Sequence, residues 1–328
     1  MKRMFTAVFL AFVLAAAVVS LQAPDRHGPR QHTVGILQHT ANNASTVAGF
    51  KAELAKLDRK EGMNLTFVEP PPAATAADLK ERMAEILAQK PDLVFASPTL
   101  AALTAREATR ESGPPVVFAP VNDPVSSKVV ETLHRPESNL TGVRLAPSEG
   151  RRLQELLELA PGARRVFVPY NPDDPSARAS MEQLVDSARV LGVEIMALSI
   201  SDTTDLFANG GLVPARAQAV FMPREGLVMS RFREFIALAE ARRIPLSTPR
   251  MEQVREGVLT GYGFVGEELG RQAAAMANQI LNGTPVSGMP VETAQDYLFI
   301  NLAAARRIGL HVPDGFLDRA QYVFREPQ

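Results

Sequence analysis

The chain has 328 residues with no Cys and no Trp, and its Lys plus Arg count of 35 nearly balances 36 Asp plus Glu, for a formal charge of −1. That length suits about two ordinary domains, and a hydrophobic content of 46% supplies cores for both, so disorder is excluded as a starting point. The charge balance and the lack of a basic stripe argue against nucleic acid as a partner. The missing Cys excludes disulfide frameworks, Cys-based metal sites, a thiol nucleophile and the lipid-bearing N-terminal Cys of a bacterial lipoprotein.

Residues 1–23 carry Lys2-Arg3, an unbroken apolar run from Met4 to Val19, and Ser20-Leu21-Gln22-Ala23 before Pro24. This is the three-part pattern of a cleavable signal peptide, cut after Ala23 or after Ser20. An uncleaved anchor is the alternative, although the run is short for a bilayer span. Losing Lys2 and Arg3 takes the formal charge from −1 to −3. Residues 24–32 read as a flexible tail, and no later segment is apolar enough to span a membrane, so the mature protein is expected to be soluble and exported.

From Thr33 onward, short apolar runs alternate with helical patterns. Val34-Gly35-Ile36-Leu37 precedes a helix over 44–60 with Val47, Phe50, Leu54 and Leu57 at helical spacing. Leu65–Val68, a helix over 76–89, Asp92–Ala96, a helix through Ala108 and Pro115–Ala119 follow. The rhythm restarts after Leu140-Thr141-Gly142-Val143 with a helix over 150–159, Arg165–Val168, a helix over 176–191 and Val193–Leu198. Ala219–Met222, a helix over 227–241, Ile244–Leu246, Val258–Tyr262, a helix over 267–281, Tyr297–Ile300 and a helix over 302–308 complete the chain. Strands that are apolar on both faces belong in parallel sheets covered by helices on both sides. The expected class is therefore α/β, with two consecutive open sheets.

Ligands of such sheets sit beyond the carboxyl ends of the strands. Those ends here read Gln38-His39-Thr40, Ser97-Pro98-Thr99, Val121-Asn122-Asp123-Pro124, Tyr170 through Asp174, and Pro223-Arg224-Glu225-Gly226. Asp123-Pro124 and Asn171-Pro172 also read as ordinary helix starts, as do Ser97 and Thr99. Capping and ligand contact can coexist, because free amides at a helix start receive anions. Tyr170 and Tyr262 sit at strand ends, where a phenol can stack on a planar ligand or pack on a neighbouring loop. Arg224 can hold an anion with its fork of donors, or pair with Glu225 on the surface.

Gly261-Tyr-Gly263-Phe-Val-Gly266 matches a dinucleotide fingerprint, but it comes late in the chain and no strand with a ribose-binding carboxylate follows, so no cofactor is expected. His27, His32, His39, His134 and His311 show no metal-ligand spacing, and no metal site is expected. No nucleophile–base pair is visible; Asp173-Asp174 before a helix reads as dipole partners before it reads as acid–base machinery.

The ordered blocks Val34–Leu37, Phe95–Thr99, Val117–Val125, Asn139–Val143, Tyr170-Asn171-Pro172, Gly257–Gly263, Leu269–Ala274, Ile280–Pro285 and Ile300–Leu302 together resemble the ABC-transporter substrate-binding proteins that include tryptophan and aromatic-amino-acid binders. The resemblance covers nearly all of the mature chain. It implies a type I periplasmic-binding-protein fold, two Rossmann-like lobes joined by a three-segment hinge. Lobe 1 would span 33–142 plus 264–290 and lobe 2 143–263 plus 291–328, with crossovers at Thr141–Val143, at Gly261–Gly263 and near Val291. By position, Thr40, Ser97, Thr99 and Asp123 would line one edge of the cleft, and Asn171, Asp173 and Arg224 the other, with Tyr170 and Tyr262 as further ligand contacts. Where many members carry Asp-Asn after Met222, this chain has Arg224-Glu225, which suggests an ammonium partner lost and an anion partner gained. The implied function is a periplasmic solute-binding protein, monomeric and not an enzyme, that delivers a small polar or aromatic molecule to an ABC permease and ATPase. A periplasmic sensor presenting its closed form to a membrane receptor is the alternative, and an exported enzyme using the cleft carboxylates is a third.

Overall fold

The computed structural model describes residues 31–134, 136, 139–201 and 213–326. The expected signal peptide lies outside them, as does the expected tail except for Gln31 and His32. His32 already belongs to the first strand, because its amide bonds the Asn64 carbonyl in parallel pairing, so that strand starts earlier than the expected start at Thr33.

The first half runs β1 (His32–Gln38), α1 (Ala44–Lys56), β2 (Leu65–Val68), α2 (Ala76–Ala88), β3 (Leu93–Ser97), α3 (Thr99–Thr109), β4 (Val116–Val121) and β5 (Leu140–Arg144). Then come α4 (Glu149–Leu159), β6 (Arg165–Tyr170), α5 (Pro175–Leu191), β7 (Glu194–Ser199), β8 (Ala219–Phe221), α6 (Gly226–Ser230), α7 (Phe232–Arg242), β9 (Leu246–Arg250), α8 (Met251–Arg255) and β10 (Thr260–Phe264). The chain ends with α9 (Gly266–Leu281), β11 (Glu292–Thr293), β12 (Tyr297–Asn301), α10 (Leu302–Ile308), α11 (Asp314–Arg319) and β13 (Tyr322–Phe324).

Two sheets result. The first has the order β11-β5-β4-β3-β1-β2 and is parallel throughout. The second has the order β13-β12-β10-β9-β8-β6-β7, parallel except where β12 runs against β10. Strands β3 and β4 are buried along their whole length, as their two-sided apolar sequence requires. The expected helix over 227–241 is split at Arg231, whose amide closes a short turn onto the Val228 carbonyl and ends α6.

Sheet membership also moves the expected crossovers. Thr141–Val143 lies inside β5, and Val143 pairs with Glu292 of β11, so the first passage follows Arg144. Gly261–Gly263 lies inside β10, and the second passage falls at Val265 before α9. The third follows Thr293 rather than Val291. Each strand continues past the expected boundary because its backbone still has a partner to bond.

Helix α9 returns to the first sheet and packs on α1. A methyl group at Gly270 would overlap the Thr46 carbonyl, and one at Gly49 would overlap the Glu267 carbonyl. These glycines, with the buried Ala273, Ala274 and Ala277, let the two backbones approach closely. Beneath them Phe50 stacks on Phe95, with ring centroids 4.1 Å apart.

Candidate functional site

The carboxyl ends of both sheets face one cavity, with about 580 Å³ of empty space including its part open to solvent. From the first sheet, the segment after β1 supplies His39, Thr40, Asn42 and Asn43, β3 leads to Pro98 and Thr99, and β4 leads to Asn122. From the second, β6 leads to Asp174 and Ser176, β8 to Arg224 and Glu225, and β9 ends at Arg250. Leu100, Leu145, Met229, Phe264 and three prolines form the apolar part of the wall. Thr40 holds φ 60, a conformation that costs a residue with a side chain about 1–3 kcal/mol and recurs at ligand sites.

The two edges touch directly. Asn42 Nδ2 donates to the Gly226 carbonyl and Asn122 Nδ2 to the Ser176 carbonyl, each at 3.0 Å. Ser45 Oγ donates to Glu252 Oε1 at 2.7 Å, and Arg250 Nη1 reaches Asn43 Oδ1 at 3.2 Å. These bonds join residues of opposite sheets, so the cleft is in a closed arrangement.

Two carboxylates dominate its second-sheet side. Asp174 caps α5, accepting from the Ser176 amide at 2.7 Å, with Pro175 at the first helical position. Glu225 caps α6, accepting from the amides of Leu227 and Val228 at 2.7 and 2.6 Å. Burial pushes the Glu225 carboxyl up to about 7, with nearby Asp174 adding to the effect against the opposing amides. Burial also raises Asp174, and it lowers His39 across the cleft.

Arg224 behaves differently from the expectation of an anion receptor or of a surface partner for Glu225. It is 3% exposed and turns into the hinge. Its Nη1 donates to the Ala146 carbonyl at 2.6 Å and to Asn122 Oδ1 at 3.3 Å, and its Nη2 donates to Ser148 Oγ at 2.6 Å. Its Nε lies 3.3 Å from Glu149 Oε1, and Nη2 lies 3.9 Å from Asp296 Oδ2. Arg152 completes the cluster, bonding Glu149 and the Met222 carbonyl and lying over the Phe221 ring. Burial works against ionisation of Glu149, but Arg152 and Arg224 outweigh it and hold that carboxyl below the usual range. Burial pushes Arg152 down to about 10. The two terminal nitrogens of Arg224 thus bond the first crossover and Asn122, while its charge faces the acids of its own cluster.

Of the other candidates from the sequence, Thr40 and Thr99 line the cavity, and Ser97 is fully buried beneath it. Asp123 turns back to the amides of Val125 and Ser126 at 3.1 and 3.0 Å, while its neighbour Asn122 faces the cavity. Asn171 Oδ1 accepts from the Asp173 amide, and Asp173 points to solvent while Asp174 faces inward. Tyr170 packs against the core cluster that includes Leu153 and Val166, and Tyr262 packs against another with Leu298 and Ile300. Sequence reasoning placed His39, Asn122, Asp174 and Glu225 in the ligand-facing strand ends without choosing them as contacts, and it passed over Arg250. The signal available for Asp174 was Asp-Pro at a helix start; for Arg250 it was the extension of the 244–246 strand to its polar end. The Gly261-Tyr-Gly263-Phe-Val-Gly266 pattern has a packing cause: a methyl at Gly263 would overlap the Pro249 carbonyl, where β10 shifts register against β9.

A family model described as ABC transporter substrate binding protein matches residues 33–324. A tyrosine-binding protein of Clostridioides difficile (strain R20291) is 24% identical over 269 residues, covering 81% of this chain and 77% of the relative. Among solved structures, the ABC domain in complex with L-Trp from Streptococcus pneumoniae superposes with a TM-score of 0.83 at 20% identity, over 90% of this chain and 100% of that one. The ligand-free, open structure of a substrate binding protein with adhesive properties from Clostridium difficile gives 0.68 at 26% identity, with the same coverage.

Proposed function

We propose a function from the premise that the match over residues 33–324 establishes: the chain belongs to the ABC transporter substrate-binding protein family. Its fold is the type I periplasmic-binding fold, two α/β lobes around one cleft. Its role is to capture an α-amino acid with an aromatic or apolar side chain by closure of the lobes, without turnover. The observation that carries this reading is the pairing of Asp174 and Glu225 in the cavity wall with no Lys, Arg or His in ion-pair contact with either among the described residues. A ligand ammonium supplies the missing charge. The start of α3, which has no side-chain cap, offers amides beside Thr99 to the ligand carboxylate. Leu145, Met229 and Phe264 suit an apolar side chain. The relatives with tyrosine and L-Trp in their names support the same class.

Because the chain contains no Trp, tryptophan emission during a titration comes from the ligand alone. We expect L-tyrosine or L-tryptophan to raise the melting temperature, and tyramine and 4-hydroxyphenylpropionate, each lacking one charged group, to bind at least tenfold more weakly. Stabilisation by sugars or dicarboxylates, with none by any amino acid, would overturn this reading.

The leader pattern and the family support export and delivery to an ABC permease and ATPase. No helix of the described residues is long and apolar enough to cross a membrane. The mass of the mature protein in the periplasm tests cleavage after Ala23 or Ser20. Loss of labelled amino-acid uptake on deletion tests the importer role against that of a sensor.

A further inference from the structure

We propose that the ligand ammonium enters by displacing a proton shared between Asp174 and Glu225, so that capture of the amino acid releases a proton to solvent. This rests on the amino-acid reading above and adds a pH dependence to the same site.

The two carboxylates head adjacent helices, α5 and α6, and both face the cavity. The amide of Gly226, the residue after Glu225, reaches Asp174 and ties the two caps together. Of the charged groups around them, only His39 when charged favours ionised Asp174. His39 faces Asp174 from the end of β1, and burial favours its neutral form. Arg224 adjoins Glu225 in sequence but turns to Ala146, Ser148 and Glu149. Arg250, from β9, is engaged by Asn43, with Glu252 at 3.8 Å.

Two neighbouring carboxylates in one closed site, with the cavity's arginines paired to other acids, do not both stay ionised, so the pair keeps one proton until a counterion arrives. Helix-start amides soften this cost without supplying a full charge. Burial makes both carboxyls harder to ionise, which agrees. The exchange balances: the ligand enters as R–NH3+, the protonated pair becomes two carboxylates around it, and one H+ leaves. The pair titrates as a unit, so the released proton belongs to both residues.

Two measurements on the full-length mature protein test this. Carbon-13 titration of labelled Asp and Glu in the unliganded protein should show a carboxyl midpoint near neutrality that disappears in Glu225→Gln. Calorimetry with L-tyrosine at about pH 6, in buffers of different ionisation enthalpy, should report close to one proton released per ligand, with affinity weakening about tenfold per pH unit below about 7. Glu225→Gln should bring the release near zero and flatten the profile; Asp174→Asn should act likewise. Tyrosine binding with no proton released, or no carboxyl titrating above the ordinary range, overturns the proposal. No heat with any amino acid sinks the amino-acid reading itself, and the displacement with it, even where the near-neutral carboxyl is present.

Discussion

Replacing Arg224 by Met keeps most of the side-chain volume and removes the charge from the hinge cluster. In the native cluster two arginines face two acids, Glu149 and Asp296, all with side chains no more than 5% exposed. After the change Glu149 retains Arg152, but Asp296 loses its nearest cation, and Ala146 and Ser148 lose a donor at 2.6 Å each. Breaking a buried charge pair from one side costs about 3–5 kcal/mol. That is a large part of the roughly 5–15 kcal/mol that holds a domain folded. Urea unfolding of the ligand-free protein at pH 7 should therefore show a loss of about 3–5 kcal/mol, and Arg224→Lys should recover part of it by restoring the charge without the planar fork. A ligand-anion receptor behaves in the opposite way. If Arg224→Met leaves ligand-free stability within about 1 kcal/mol while affinity drops more than tenfold, the hinge assignment is wrong.

The Glu225 carboxyl moves from an ordinary value of 4.5 to about 7 in the folded protein. The folded chain then holds more protons than the unfolded one between those values, so ligand-free stability should be highest at the acid end and fall by about 3 kcal/mol as pH rises through that window; denaturation of Glu225→Gln should lack this slope. Gly270→Ala forces a methyl into the Thr46 carbonyl and should cost about 1–3 kcal/mol in unfolding free energy by prising α9 from α1. Asp123→Ala removes only the bonds to Val125 and Ser126, so it should lower stability by about 0.5–1 kcal/mol and leave affinity unchanged by calorimetry; a tenfold loss of affinity would place Asp123 on the ligand.

Much of the fold was legible because parallel strands and amphipathic helices impose their own periods on the chain. The runs at Val94–Ala96 and Val117–Ala119 carry the signature of strands covered on both faces, and both lie inside such strands. Short edge elements such as Glu292–Thr293 and Tyr322–Phe324 were missed, since too few residues repeat to show a period and distant partners define them. The same strand ends located the cleft, because side chains at the carboxyl edges of open sheets converge by topology.

Which side chain of each polar pair enters that cleft was decided only in three dimensions. Asn122 rather than Asp123 and Asp174 rather than Asp173 line the wall, and of Arg224 and Glu225, which both border it, only Arg224 is tied into ion pairs. Neighbouring residues at a strand end differ by a backbone rotation that local sequence leaves open to about one position. Contacts far along the chain settle it: Arg224 is drawn into the hinge by Asn122, 102 residues away, and by Ala146 and Ser148. With Arg224 held there and Arg250 engaged by Asn43, the carboxylates of Asp174 and Glu225 stand in the cavity wall with no cation in ion-pair contact among the described residues.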